Sequence, residues 1–181
     1  KNLSMTWKIM TMSNMSTPTH YKKVRTLAID PGFDRCGVAI LERRGGVVSL
    51  IYSNCIETSR KDSYVSRLVS VGDMVAATIQ KHKPDHFVLE KIYLTNNQKT
   101  AMQVAEVRGM LLYIATSAHL PITEYTPPEI KLAVTGWGRS DKKQIISMVP
   151  KLIKISSPIL LDDEYDAIAI GITHLASLRE Y

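Results

Sequence analysis

Val24-Arg25-Thr26-Leu27-Ala28-Ile29-Asp30-Pro31-Gly32 is an apolar run that ends in a carboxylate and then in a forced turn. Leu27, Ala28 and Ile29 call for a buried strand, and Pro31-Gly32 stops it. Gly37–Glu42 reads as a second strand. Gly45-Gly46 marks a hairpin into a third, Val47–Ser53. Short links of this kind make the three strands successive antiparallel neighbours.

Outward from this hairpin the pattern changes period. Asp62 or Ser63 caps a helix carrying Val65, Leu68, Val69, Gly72, Val75, Ala76 and Ile79 along one side. Pro84 closes it, and His86–Glu90 is a fourth strand, again apolar with an acidic end. A long helix is expected from about Lys99 to Ala118, then a short strand at Ile122–Tyr125. Pro127-Pro128 opens a short helix over Glu129–Val134. Another helix, capped by Ser140 or Asp141, reaches Val149, and a last one runs from Asp162 to about Arg179. Three strands, helix, strand, helix, strand and helices describe one α/β domain, a mixed sheet covered by helices.

The 181 residues suffice for a real core, and 45% hydrophobic with 22% charged residues are ordinary globular values. No apolar stretch is long enough to span a bilayer. Cys36 and Cys55 make no disulfide framework; small core residues in a reducing, cytoplasmic setting are the expectation. The net charge of +6 is concentrated at Lys1, Lys8, Lys22, Lys23 and Arg25, with no acid in that stretch. Bulk charge therefore does not establish a nucleic-acid partner. Residues 1–22 read as an extension or remnant outside the domain at 23–181, with no apolar core of a secretory signal.

Four acids carry the functional reading: Asp30, Glu90, Asp163 and Asp166. Asp30 and Glu90 end buried strands, the edge where open α/β sheets bind ligands. Asp163 and Asp166 are three residues apart and share a helix face. Taken singly, Asp30 is a turn residue, Glu90 an exposed strand end and Asp163 a helix N-terminal acid. Asp162 and Glu164 are expected to serve only the last role. Taken together, the four imply a divalent-metal site of oxygen ligands suited to Mg²⁺ or Mn²⁺, and with it phosphoryl chemistry. On the long helix, Ala101, Ala105 and Gly109 recur every fourth residue, which fits a close intramolecular contact or a subunit interface equally well.

The stretches LAIDPGFDRCGVAI (Leu27–Ile40), FVLEKIYLTNNQKTAMQVAEVRGML (Phe87–Leu111), EYTPPEIKLAVTGWGRSDKKQI and DDEYDAIAIGITHLA occur in that order. In content and order they resemble the RuvC family of Holliday-junction resolvases. The resemblance implies an RNase H-like fold with a five-stranded mixed sheet flanked by helices. It implies a homodimeric Mg²⁺-dependent endonuclease that nicks two opposed strands of four-way junction DNA, leaving 5′-phosphate ends.

By position, Asp30, Glu90, Asp163 and Asp166 match the family's catalytic acids, with two ions per site and Asp30 bridging them. Tyr93 matches an aromatic that contacts bases at the junction centre. Lys131 and Lys142 match basic DNA-contacting positions, which Arg139, Lys143 and Lys91 extend. The helix with Ala101, Ala105 and Gly109 matches the dimer helix, and the branch-migration complex of the RuvA and RuvB families is an implied partner. Phe33 and Asp34 depart from the common pattern, and His174 reads as a packing residue. The competing readings are a YqgF-type RNA-processing nuclease, a non-catalytic junction-binding protein, and an actin-like ATPase fold. The last lacks here its second phosphate loop and about half its length.

Overall fold

A computed structural model of the chain describes residues 22–91, 98–156 and 158–178. Its elements are β1 (Val24–Asp30), β2 (Arg35–Arg44), β3 (Val47–Glu57), α1 (Tyr64–His82), β4 (His86–Glu90), α2 (Gln98–Ser117), β5 (Ile122–Tyr125), α3 (Pro127–Thr135), α4 (Lys142–Leu152) and α5 (Asp162–Ser177). Tyr93 and the expected extension, apart from Lys22, lie outside the described residues.

The strands form one sheet in the order β3-β2-β1-β4-β5. The β1–β2 and β2–β3 pairs are antiparallel, as hairpin links require; β1–β4 and β4–β5 are parallel. β2 and β3 run longer than the hydrophobic pattern predicts. A register shift between Ile40 and Leu41 lets the hairpin continue past a bulge.

Period-two alternation divides the core into two layers. Leu27 and Ile29 of β1, with Phe87 and Leu89 of β4, face α1 and α2. Val24 and Ala28, with Val88, face α3, α4 and α5. Cys36 and Cys55 are buried free thiols. The α1 stripe differs from the expected one. Leu68, Val71, Val75 and Ile79 pack inward, while Val65 and Val69 are 66% and 52% exposed. The helix is turned so that the edge of its apolar arc bearing Val65 and Val69 faces away from the sheet.

Three N-termini are set by local chemistry. Thr126 and Glu129 exchange hydrogen bonds around Pro127-Pro128 to start α3. Asp141 and Gln144 do the same for α4. At α5, Glu164 corrects its expected role as a mere first-turn acid. It is buried, accepts from the backbone N–H groups of Leu160 and Leu161 at 3.1 Å, and accepts from the Ser53 hydroxyl on β3. Glu164→Ala would leave three donors without this acceptor, at a cost of about 2–4 kcal/mol. A urea-unfolding midpoint unchanged from wild type would refute that assignment.

Candidate active site and metal centre

Strand parity places the first two acids. Asp30 and Glu90 follow the even positions Ala28 and Val88, so both point to the layer that holds α5. The parallel register pairs Ile29 with Leu89, and one further step sets Asp30 beside Glu90. The helix then has to come close. Gly37 pairs with Asp30 across β1–β2, and a Cβ there would stand 2.1 Å from the Asp163 carbonyl oxygen. A Cβ at Gly171 would meet Leu41 Cδ1 at 2.4 Å. Two missing side chains thus let α5 lie on the sheet with its N-terminus at the carboxylate edge. Gly37→Ala is expected to push that N-terminus outward, cutting catalysis over 10-fold while costing about 1–3 kcal/mol of stability. Wild-type turnover in a folded Gly37→Ala protein would show that the close approach is not needed.

Asp30, Glu90 and Asp166 line one cavity of about 320 Å³. Lys131 from α3 and Lys142 from α4 share its wall, with Ile130 and Ile145 as apolar sides. Burial, followed by the charges of Asp166, Glu90 and Asp163, pushes the Asp30 carboxyl up to about 7, against a smaller pull from Lys142. Glu90 is raised by burial and by Asp166, with Lys131 opposing. Asp166 is raised by burial, with the Lys142 hydrogen bond opposing.

The fourth acid departs from the expectation that all four converge. Asp163 is not part of the cavity lining. Its Oδ2 lies 3.6 Å from Arg35 Nη1, and that buried oxygen has no hydrogen-bond partner among the described residues. Among the described residues, no group of three or more His, Cys, Asp or Glu side chains is close enough to hold an ion in this arrangement. The physical reason is charge. Like carboxylates repel, Arg35 draws Asp163 aside, and Lys142 holds Asp166 at 2.7 Å. The donor set nevertheless fits a hard divalent cation. It is all oxygen, it is partly buried, and it includes one unpartnered carboxylate oxygen beside a carboxyl raised to about 7.

Arg139 and Lys143 are exposed and stand outside the cavity lining. Asp34 does not join the acids. Hydrogen bonds from Arg67 and then Arg60 hold its carboxyl below the usual range. Arg67 also donates to Thr58 and lies 4.1 Å over the Phe33 ring, which stacks on Tyr64. This clamps the turn that follows Asp30. Neither Arg67 nor Arg35 carries a signal in its local sequence, because each acts on a turn far away along the chain. His174 is buried and bonds through Nδ1 to the Tyr125 hydroxyl at 3.1 Å. Burial, with His86 and Arg43, pushes it down to about 4, and its buried Nε2 has no hydrogen-bond partner among the described residues.

On α2, Val107, Leu111 and Ala115 are buried, whereas Ala105 and Gly109 are exposed and Ala101 is half-buried. Met102 and Tyr113 flank that stripe at 65% and 74% exposure. Among the described residues nothing within 4 Å would meet a Cβ at Gly109, so packing against them does not explain its small size.

The family model of the crossover junction endodeoxyribonuclease RuvC matches residues 26–174, which take in most of β1, the other four strands and nearly all of α5. The chain belongs to the RuvC family. It is similar to the RuvC of Petrotoga mobilis, 40% identical over 82% of this chain and 91% of the relative. It is similar to that of Brachyspira hyodysenteriae, 36% identical over 85% and 95%. In fold it resembles Thermus thermophilus RuvC, solved in complex with Holliday junction substrate. The TM-score is 0.78 and the identity 23%, covering 84% of this chain and 93% of that one. The sheet order and flanking helices are the RNase H-like arrangement expected of a RuvC protein. No helix among the described residues is long and apolar enough to cross a membrane.

Proposed function

We propose that this RuvC-family chain is a divalent-metal-dependent endonuclease that resolves four-way DNA junctions by paired symmetric nicking. The observation that carries this reading is one cavity at the carboxyl ends of β1 and β4 where Asp30, Glu90 and Asp166 face Lys131 and Lys142. Asp30, Glu90, Asp166 and, after a small movement, Asp163 would hold Mg²⁺ or Mn²⁺, up to two ions. Such ions stabilise the charge on attacking and leaving oxygens of an in-line phosphoryl transfer. The chain's own groups do the rest. The carboxylates orient the attacking water, and the two ammonium groups neutralise the scissile phosphate. Release of the 3′ oxygen leaves a 5′-phosphate.

The exposed α2 stripe supports a homodimer, which pairs two such sites on opposed strands. Tyr93 is assigned to base stacking at the junction centre, Arg139 and Lys143 to the flanking backbone, and the RuvA and RuvB families to branch migration. The reading is tested with four-way, three-way and linear DNA, in Mg²⁺ or in EDTA. Symmetric nicks in the four-way junction alone, abolished by EDTA, are the expected result. Equal cleavage of linear duplex, or cleavage in EDTA, overturns it.

A further inference from the structure

Lys142 stands in the first turn of α4, where the positive end of the helix dipole disfavours a cation. Its ammonium is 2.7 Å from Asp166 Oδ2 inside the cavity and 2.7 Å from Asp162 Oδ2 at the lip. One lysine thus joins a carboxylate that belongs to the site with one that does not. Asp162 is absent from the cavity wall, and its side chain is 49% exposed against 24% for Asp166. Serving the α5 N-terminus explains an acidic residue there but not the direction of its side chain. Glu164 turns back to the N–H groups of Leu160 and Leu161 just before the helix, while Asp162 turns across to α4. Arg35 approaches Asp162 less closely, at 3.9 Å.

We propose that Asp162 is a positioning residue for Lys142, holding the ammonium at the lip so that a divalent cation takes Asp166 while the lysine keeps a partner and still faces the substrate phosphate. This rests on the metal reading above. A dication and an ammonium compete for the same carboxylate oxygen. With Asp162 present, the lysine yields one of two hydrogen bonds. Without it, Asp166 is the remaining carboxylate partner of that pair, and the arriving ion must drive the ammonium into water. Asp162 therefore lowers the free-energy cost of replacing the lysine by the ion on Asp166, and keeps Lys142 from leaving the site.

The test is Mn²⁺ titration by calorimetry into the full chain as wild type, Asp162→Asn, Lys142→Gln and the double variant. Asp162→Asn is expected to weaken Mn²⁺ binding about fivefold where Lys142 is present, and less than about twofold in the Lys142→Gln background. Asp162→Glu should restore most of the affinity. Equal weakening in both backgrounds overturns the proposal, because the carboxylate then acts by its own field; so does no weakening in either. Wild-type protein that takes up no Mn²⁺ would sink the metal reading itself, a result distinct from tight binding with an additive cycle. Melting in EDTA verifies that all four proteins are folded.

Discussion

Asp30→Asn should slow cleavage of a synthetic four-way junction at least about 10³-fold while leaving junction binding intact. Asparagine keeps the shape of the strand end and its place opposite Gly37, so β1 and its register survive. What disappears is the charge that faces Glu90 and Asp166 across the cavity. A divalent cation in the cavity would then lose the ligand that β1 contributes. Binding of the duplex arms depends on cations along the phosphate backbone, and removal of an acid does not weaken those contacts. Single-turnover cleavage in Mg²⁺ and gel retardation in EDTA separate the two effects. A wild-type cleavage rate would remove Asp30 from the reaction, and a parallel loss of binding would make it a DNA-contacting residue instead.

Which parts of this site were legible beforehand follows from which depend on local pattern. β1, β4 and β5 have the bounds their apolar runs and flanking turns predict, because Pro31-Gly32, Pro84 and Pro121 punctuate them. Alternation along β1 and β4 then commits Asp30 and Glu90 to one face. The places of Asp163 and Lys142 are different. Asp163 is set by how closely α5 can lie on Gly37, and Lys142 by where α4 docks on α5. Both are tertiary facts with no local period. The Val65 and Val69 misassignment has the same origin. A helix pattern with apolar residues over a wide arc does not say which part of the arc meets the sheet. The stripe of small residues on α2 carries two readings in the sequence, and it is the outward face that bears Ala105 and Gly109.

The second large effect concerns stability and has the opposite sign to the first. Asp30 is raised from 3.8 to about 7 in the folded chain. The folded state therefore binds more protons than the unfolded one between these values, and stability falls as pH rises through the interval. Below about pH 4 the carboxyl is neutral in both states and the penalty is absent; above pH 7 it is fully felt. A shift of this size corresponds to about 2–4 kcal/mol, the lower end allowing for mutual relief among the coupled acids. Asp30→Asn is neutral at every pH, so in EDTA it should be more stable than wild type by about that amount at pH 8. The gain should vanish towards pH 4. Asp34 and Glu42, whose carboxyls are held low by arginine partners, lose stabilisation as pH falls, but they are present in both proteins and cancel in the difference. Urea midpoints at pH 5, 6, 7 and 8 measure it. Added Mn²⁺ at pH 8 should raise the wild-type midpoint and leave the variant nearly unmoved, since the same buried repulsion that destabilises the fold is what draws a cation in. A difference independent of pH would mean that the Asp30 carboxylate is already relieved by solvent or by Lys142, and the electrostatic case for a metal at this strand end would fall with it.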